Sequence, residues 1–143
     1  MTDLSKLYQI AAQENIEIDC FELRNREALS LMDEDGLCYI AIDPYRLRST
    51  SDERVKLAHE LGHCTTGSFY NIYATTDQRQ RHENRADKWA ITQLIPMEDL
   101  DEAISDSCTQ IWELAERFGV TEDFMKKAIC YYANGNVAWE LYL

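Results

Sequence analysis

Histidine and basic residues are scarce in this sequence. Its 143 residues include only three histidines, and 14 lysines and arginines stand against 26 aspartates and glutamates, for a formal net charge of −12. A chain this acidic repels phosphate backbones, which disfavours DNA or RNA as the main partner and favours attraction of a basic protein segment. The simpler alternative is that the acidic residues only keep the protein soluble.

Long apolar runs and paired cysteine motifs are absent as well. No stretch approaches the ~18 apolar residues of a membrane span. The N-terminus carries Asp3 and Lys6 and lacks the apolar segment of a signal peptide. The five cysteines form no CxxC pair. We therefore predict a cytoplasmic protein without membrane contact, whose cysteines, Cys64 included, are reduced thiols that pack as small apolar side chains.

Length and composition indicate one ordinary folded domain. The chain is 45% hydrophobic and 28% charged, which is close to globular averages, and it is long enough to bury a hydrophobic core. It contains no internal repeats, low-complexity tracts or linkers. We predict a single domain over residues 1–143.

Hydrophobic periodicity predicts a small sheet followed by helices. An amphipathic helix should precede three strands, and a turn with Gly36 should join the second and third strands into a hairpin. We expect the first helix at 4–13, strands at 16–23, 28–32 and 37–42, a helix from about 50 to 67, an irregular loop to 80, helices at 81–94, 99–104, 109–118 and 122–132, and a docked apolar tail after 137. This is an α+β fold, with a small N-terminal antiparallel sheet packed on a mainly helical core.

Two of the three histidines lie in the segment His59-Glu60-Leu61-Gly62-His63, on the first long helix. Helical positions four apart share a face, so both imidazoles can reach one metal ion. Glu60 projects beside that ion, where its carboxylate can take a proton from an attacking water. Gly62 costs roughly 1 kcal/mol in a helix relative to alanine, which suggests that another element crosses closely there.

A catalytic zinc normally has three protein ligands, so a third one should lie downstream. The candidates are Asp77, His82, Glu83 and Asp87. Glu83 and Asp87 are four residues apart on one helix face. We therefore predict that Glu83 binds the metal while Asp87 accepts a hydrogen bond from the far nitrogen of a liganding histidine.

His82 is the rival third ligand, and it could instead donate a hydrogen bond to the oxyanion of the transition state. A solvated loop position is the plainer interpretation of the same residue. Tyr70 and Tyr73 could likewise supply a phenol to the transition state, although tyrosines in such loops more often only pack.

Together these motifs resemble the ImmA/IrrE family of metallopeptidases. The resemblance covers about residues 30–100 and combines the HELGH segment, the following Thr66-Gly67-Ser68-Phe69-Tyr70, the ExxAD pattern at 83–87, and Leu94-Ile95-Pro96. It implies a zincin-like, gluzincin-type zinc site on a compact α+β fold. By motif position, His59, His63 and Glu83 correspond to the ligands and Glu60 to the catalytic glutamate.

The resemblance also implies a class of substrate. Members are often encoded in phages and mobile elements, and some cleave a helix-turn-helix repressor. The segment from Leu114 to Tyr131 could itself form a helix-turn-helix, with Gly119 at the turn. Because residues 98–143 carry ten acidic and three basic side chains, we expect packing or protein contact there rather than DNA binding.

Three functions remain open at this point. The first is a zinc endopeptidase that cleaves a regulatory protein, with Glu60 as general base. The second is a metal-stabilised binding module that sequesters a regulator without cutting it. The third is another amide hydrolase, such as a deacylase. A site of two histidines and one glutamate also accepts cobalt or manganese, although we expect zinc.

Overall fold

The computed structural model describes residues 3–70 and 73–134. Within these residues the chain forms three strands and six helices, which confirms the predicted α+β class. The elements are α1 (Leu4–Gln13), β1 (Glu17–Cys20), β2 (Ala28–Met32), β3 (Cys38–Ile42), α2 (Thr50–Thr66), α3 (Thr76–Leu94), α4 (Met97–Ser105), α5 (Ile111–Phe118) and α6 (Glu122–Asn134). The expected turn at Gly135 and the apolar tail lie outside the described residues.

The sheet has the strand order β1-β3-β2. Strands β2 and β3 form the predicted antiparallel hairpin, with Ala28 opposite Ile42 and Met32 opposite Cys38. Strand β1 instead pairs in parallel with β3, so the sheet is mixed rather than wholly antiparallel. The reason is that β1 pairs with the return strand of the hairpin and not with the strand that follows β1 in sequence. This order leaves β2 at an edge.

One face of the sheet packs against α2. Residues directly opposite in a ladder share a face, so the buried Ala28, Cys38, Ile40 and Ile42 point the same way. Helix α2 buries Leu57, Ala58 and Leu61 in the same core. The helix that carries the two histidines is therefore held between the sheet and the other helices.

A disulfide bond between Cys38 and Cys64 links this face of the sheet to α2. The expectation that Cys64 is a free thiol was therefore wrong. The two cysteines are 26 residues apart in sequence, and only the packing of β3 on α2 brings their Cα atoms to 5.9 Å. Cys20, Cys108 and Cys130 are free.

Helices α2 and α3 cross in close contact at Gly62. A Cβ on this glycine would lie 2.5 Å from the carbonyl oxygen of Ala86 and 2.9 Å from the Ala86 Cα. The expected close crossing at Gly62 is thus confirmed, and the element that crosses is α3. The absence of a side chain at Gly62 lets the backbones of the two helices approach each other directly.

Helix α3 begins five residues earlier than expected. The segment 76–80, predicted as loop, is helical because Thr75 caps the helix. The Thr75 hydroxyl accepts from the backbone N–H of Gln78, and the Gln78 side chain accepts from the backbone N–H of Thr75. This reciprocal pair is a capping box, which stabilises a helix start.

The C-terminal helices are attached to α2 through a buried arginine. Gly119 adopts a left-handed conformation with φ of 64° and separates α5 from α6. Arg54 of α2 donates from Nη1 to the carbonyl oxygens of Phe118 and Gly119, each at 2.7 Å.

Among the described residues, no helix combines the length and the apolar character needed to cross a bilayer.

Candidate metal centre

Two histidines from α2 and one glutamate from α3 converge at the crossing of these helices. One ligand atom each from His59, His63 and Glu83 lies within 4.8 Å of the others. Nε2 of His59 is 2.8 Å from Oε2 of Glu83, and Nε2 of His63 is 3.2 Å from Oε1 of Glu83. The two Nε2 atoms are 3.2 Å apart.

The other ring nitrogen of each histidine is held by a separate acceptor. Nδ1 of His59 lies 2.7 Å from Oδ1 of Asp87, as the sequence predicted for Asp87. Nδ1 of His63 lies 2.5 Å from the carbonyl oxygen of the buried Ser68. When Nδ1 of each histidine donates a proton to its acceptor oxygen, Nε2 carries the free lone pair. Both Nε2 atoms then face the carboxylate of Glu83. The rings are therefore oriented for a shared cation.

Close pairing of imidazoles with carboxylates shifts the pKa values of the residues in this cluster. Burial by itself lowers the pKa of His59, but hydrogen bonds to the Asp87 and Glu83 carboxylates outweigh it and raise this pKa to about 10. Burial raises the pKa of Glu83, yet hydrogen bonds from His59 and His63 hold it well below its usual range. Burial likewise raises the pKa of Asp87, and its bond with His59 lowers it overall.

A lysine from α6 completes this network. Nζ of Lys127 is 3.3 Å from Oδ2 of Asp87, so the two oxygens of this carboxylate have different partners. Sequence reasoning missed Lys127, which is 40 residues from Asp87. Nothing in the local pattern of α6 distinguishes it from the neighbouring Lys126.

Glu60, the expected general base, lies beside the three converging groups and outside their set. Its Oε1 accepts a hydrogen bond from Oγ of Ser30 on β2, at 2.6 Å. Glu60 and the metal-site residues line one cleft of about 1190 Å³, together with strand β2, the segment 68–70 and the start of α6. The cleft is partly open to solvent, and Glu60 is half-buried within it.

The remaining sequence candidates lie at different distances from the centre. The Tyr70 hydroxyl donates to Oε1 of Glu83 at 3.2 Å, at the border of the cluster. His82 lies outside the set of converging ligand atoms, and its ring packs 6.1 Å from the ring of Tyr70, centroid to centroid. Asp77 lies in the first turn of α3 and does not line the cleft. Tyr73 is almost fully exposed.

The donor set fits a divalent transition metal. Two imidazole nitrogens and one carboxylate, with each imidazole held at its far nitrogen, match the ligands and outer partners of catalytic zinc sites. His59, His63 and Glu83 could hold such an ion, with Asp87 and the Ser68 carbonyl fixing the rings.

The sequence of the chain matches a known protein family over the region that builds this centre. Residues 24–129 match the model of the IrrE N-terminal-like domain of the peptidase M78 family. The chain belongs to this family. The match spans strands β2 and β3, helices α2 to α5 and most of α6, and therefore every residue of the centre described above. No curated protein sequence matches the chain. Membership of peptidase M78 supports a metallopeptidase-type role.

Proposed function

We propose that this peptidase M78 member is a zinc-dependent endopeptidase with His59, His63 and Glu83 as metal ligands. The observation that carries the proposal is the convergence of the two Nε2 atoms on the Glu83 carboxylate, within 4.8 Å, at the wall of an open cleft. Glu60 lies in the same cleft and is not needed to complete the ligand set. Its carboxylate is therefore available for proton transfer.

Each residue of the site has a separate role in the proposed reaction. A zinc ion held at this site would supply Lewis acidity, which polarises a peptide carbonyl and makes water a better nucleophile. Glu60 accepts the proton of the attacking water and returns it to the leaving amine. Asp87 and the Ser68 carbonyl keep the rings of His59 and His63 in one orientation throughout. Tyr70 is placed to contact the Glu83 carboxylate at the edge of the site.

For the substrate we propose a cytoplasmic regulatory protein, such as a helix-turn-helix repressor of a phage or mobile element. Two observations support this class. The chain resembles the ImmA/IrrE metallopeptidases, some members of which cleave such repressors. Its net charge of −12 also complements the cationic surface that a DNA-binding protein needs to neutralise phosphates. We further propose that residues 1–143 act as one domain.

The substitution Glu60→Gln tests the mechanism. The amide cannot take a proton but keeps the size of the side chain, so the variant should retain one zinc per chain and lose cleavage by about 100-fold or more. Glu116→Gln is the matched control, because Glu116 is an exposed residue of α5 outside the cleft. Metal content is measured by elemental analysis, and cleavage by mass spectrometry of a proteome-derived peptide library.

The same variant separates an endopeptidase from a binding module. A module that only sequesters a regulator would keep its cellular effect when Glu60 is changed to Gln, whereas an endopeptidase would lose it. Full-rate cleavage by Glu60→Gln would show that the base assignment is wrong. Wild-type protein purified without a transition metal, and unable to bind zinc, would exclude the zinc mechanism altogether.

A further inference from the structure

Strand β2 contains one polar side chain, Ser30, in the sequence Ala-Leu-Ser-Leu-Met. Ser30 is opposite Ile40 in the ladder and shares its face of the sheet. This face is otherwise apolar and packs on α2, with Ile40 and Ile42 almost fully buried. Ser30 itself is half-buried and lines the cleft beside the metal site. It is therefore the one polar side chain that β2 presents to this cleft.

The partner of Ser30 is the proposed general base. Oγ of Ser30 donates a short hydrogen bond of 2.6 Å to Oε1 of Glu60. Because the bond holds Oε1, we assign the proton transfer to the second oxygen, Oε2. Ser30 belongs to β2, which pairs along its whole length with β3, and β3 is linked to α2 by the Cys38–Cys64 disulfide. The donor is therefore anchored to a rigid part of the fold.

We propose that Ser30 is a positioning residue for catalysis, which holds the Glu60 carboxylate in the orientation needed for proton transfer. This inference rests on the proposed function. Glutamate is a long side chain with several rotatable bonds, and its unrestrained carboxylate would spend much of its time away from the reacting water. The hydroxyl acts through Glu60, whose carboxylate oxygen Oε1 accepts its hydrogen bond.

An isosteric pair of substitutions separates the hydroxyl from the packing of the side chain. Ser30→Thr keeps the hydroxyl, and Ser30→Val has the shape of threonine without it. Both residues favour strands, so both variants should fold. Ser30→Ala removes the hydroxyl with the smallest change in volume. The assay uses a quenched fluorescent peptide that carries a site cut by the wild-type protein in the peptide library, and zinc content is measured on every sample.

We expect kcat to fall about tenfold or more in Ser30→Ala and Ser30→Val, with KM within about twofold of wild type. Ser30→Thr should stay within about threefold of the wild-type kcat. All three variants should hold as much zinc as the wild type.

Three results would overturn the inference. They are an unchanged kcat in Ser30→Ala and Ser30→Val, a Ser30→Thr variant as slow as Ser30→Val, and a loss of zinc that accompanies the loss of rate. Each of these leaves the proposed function intact, because wild-type cleavage still depends on Glu60. Wild-type protein without Glu60-dependent cleavage would refute the proposed function itself, and this inference with it.

Discussion

The crossing of α2 and α3 at Gly62 makes a sharp prediction for the substitution Gly62→Ala. An added Cβ would lie 2.5 Å from the Ala86 carbonyl oxygen, while an ordinary contact begins at 3.4 Å. Because the neighbouring atoms belong to the backbone of α3, no side chain can rotate away. The helices must separate by several tenths of an ångström or more for the methyl group to fit.

Two opposing terms set the effect on stability. Alanine is favoured over glycine in a helix interior by about 1 kcal/mol, whereas overpacking a core costs about 1–3 kcal/mol. The contact with backbone places Gly62→Ala towards the upper end of that cost. We therefore expect the free energy of unfolding to fall by about 1–2 kcal/mol, although the same change on an exposed helix would raise it.

The effect on metal binding should be larger than the effect on stability. His63 is adjacent to Gly62 on α2, and Glu83 is three residues before Ala86 on α3. Separation of the helices moves Glu83 away from the two histidines, and metal–ligand distances tolerate only about 0.2 Å. We expect zinc affinity to fall by about tenfold or more.

The assay compares zinc affinity with the free energy of unfolding in urea. Affinity is measured by competition with a chromogenic chelator. The matched control is Gly36→Ala, where φ is 82° and no atom lies within 4 Å of the added Cβ. This control should lose stability through backbone strain, yet keep wild-type zinc affinity. The reasoning fails if Gly62→Ala binds zinc as tightly as the control, or unfolds at a higher urea concentration than the wild type.

Three further predictions follow from the same contacts. Arg54→Met leaves the buried carbonyl of Phe118 and the half-buried carbonyl of Gly119 without their donor, so the free energy of unfolding in urea should fall by about 2–4 kcal/mol; Arg85→Met, at an exposed position, should leave it almost unchanged. Burial lowers the pKa of His59 but its carboxylate partners raise it to about 10, so zinc must displace a proton. Zinc affinity should therefore rise with pH, by up to about tenfold per unit, and calorimetry in buffers of different ionisation enthalpy should detect the released proton; a pH-independent affinity would contradict this. Alkylation of denatured protein should label three cysteines before reduction and five afterwards, because Cys38 and Cys64 are paired; five labelled cysteines without reduction would contradict the disulfide.

The site could be anticipated from sequence wherever its geometry is local. His59 and His63 are one helical turn apart, as are Glu83 and Asp87, so each pair shares a face whatever the rest of the chain does. Gly62 signalled a close crossing because a helix rarely keeps a glycine without a packing reason. The start of α3 was also within reach, since Thr75 and Gln78 have the spacing of a capping box.

Other parts of the molecule were decided only by tertiary structure. The parallel pairing of β1 with β3, the bond between Cys38 and Cys64, and the contacts from Ser30 to Glu60 and from Lys127 to Asp87 all join distant segments. The Ser30 and Lys127 contacts span 30 and 40 residues. Sequence periodicity shows which face of a helix or strand is buried, but not which element covers that face. By itself, the sequence determined the residue types of the candidate ligands, their helical spacing and the family pattern that they match. The packing of α2 against the sheet and α3, and of α3 against α6, decided which partners orient the candidate ligands and Glu60. Side chains far apart in sequence meet only where the chain path brings their elements into contact.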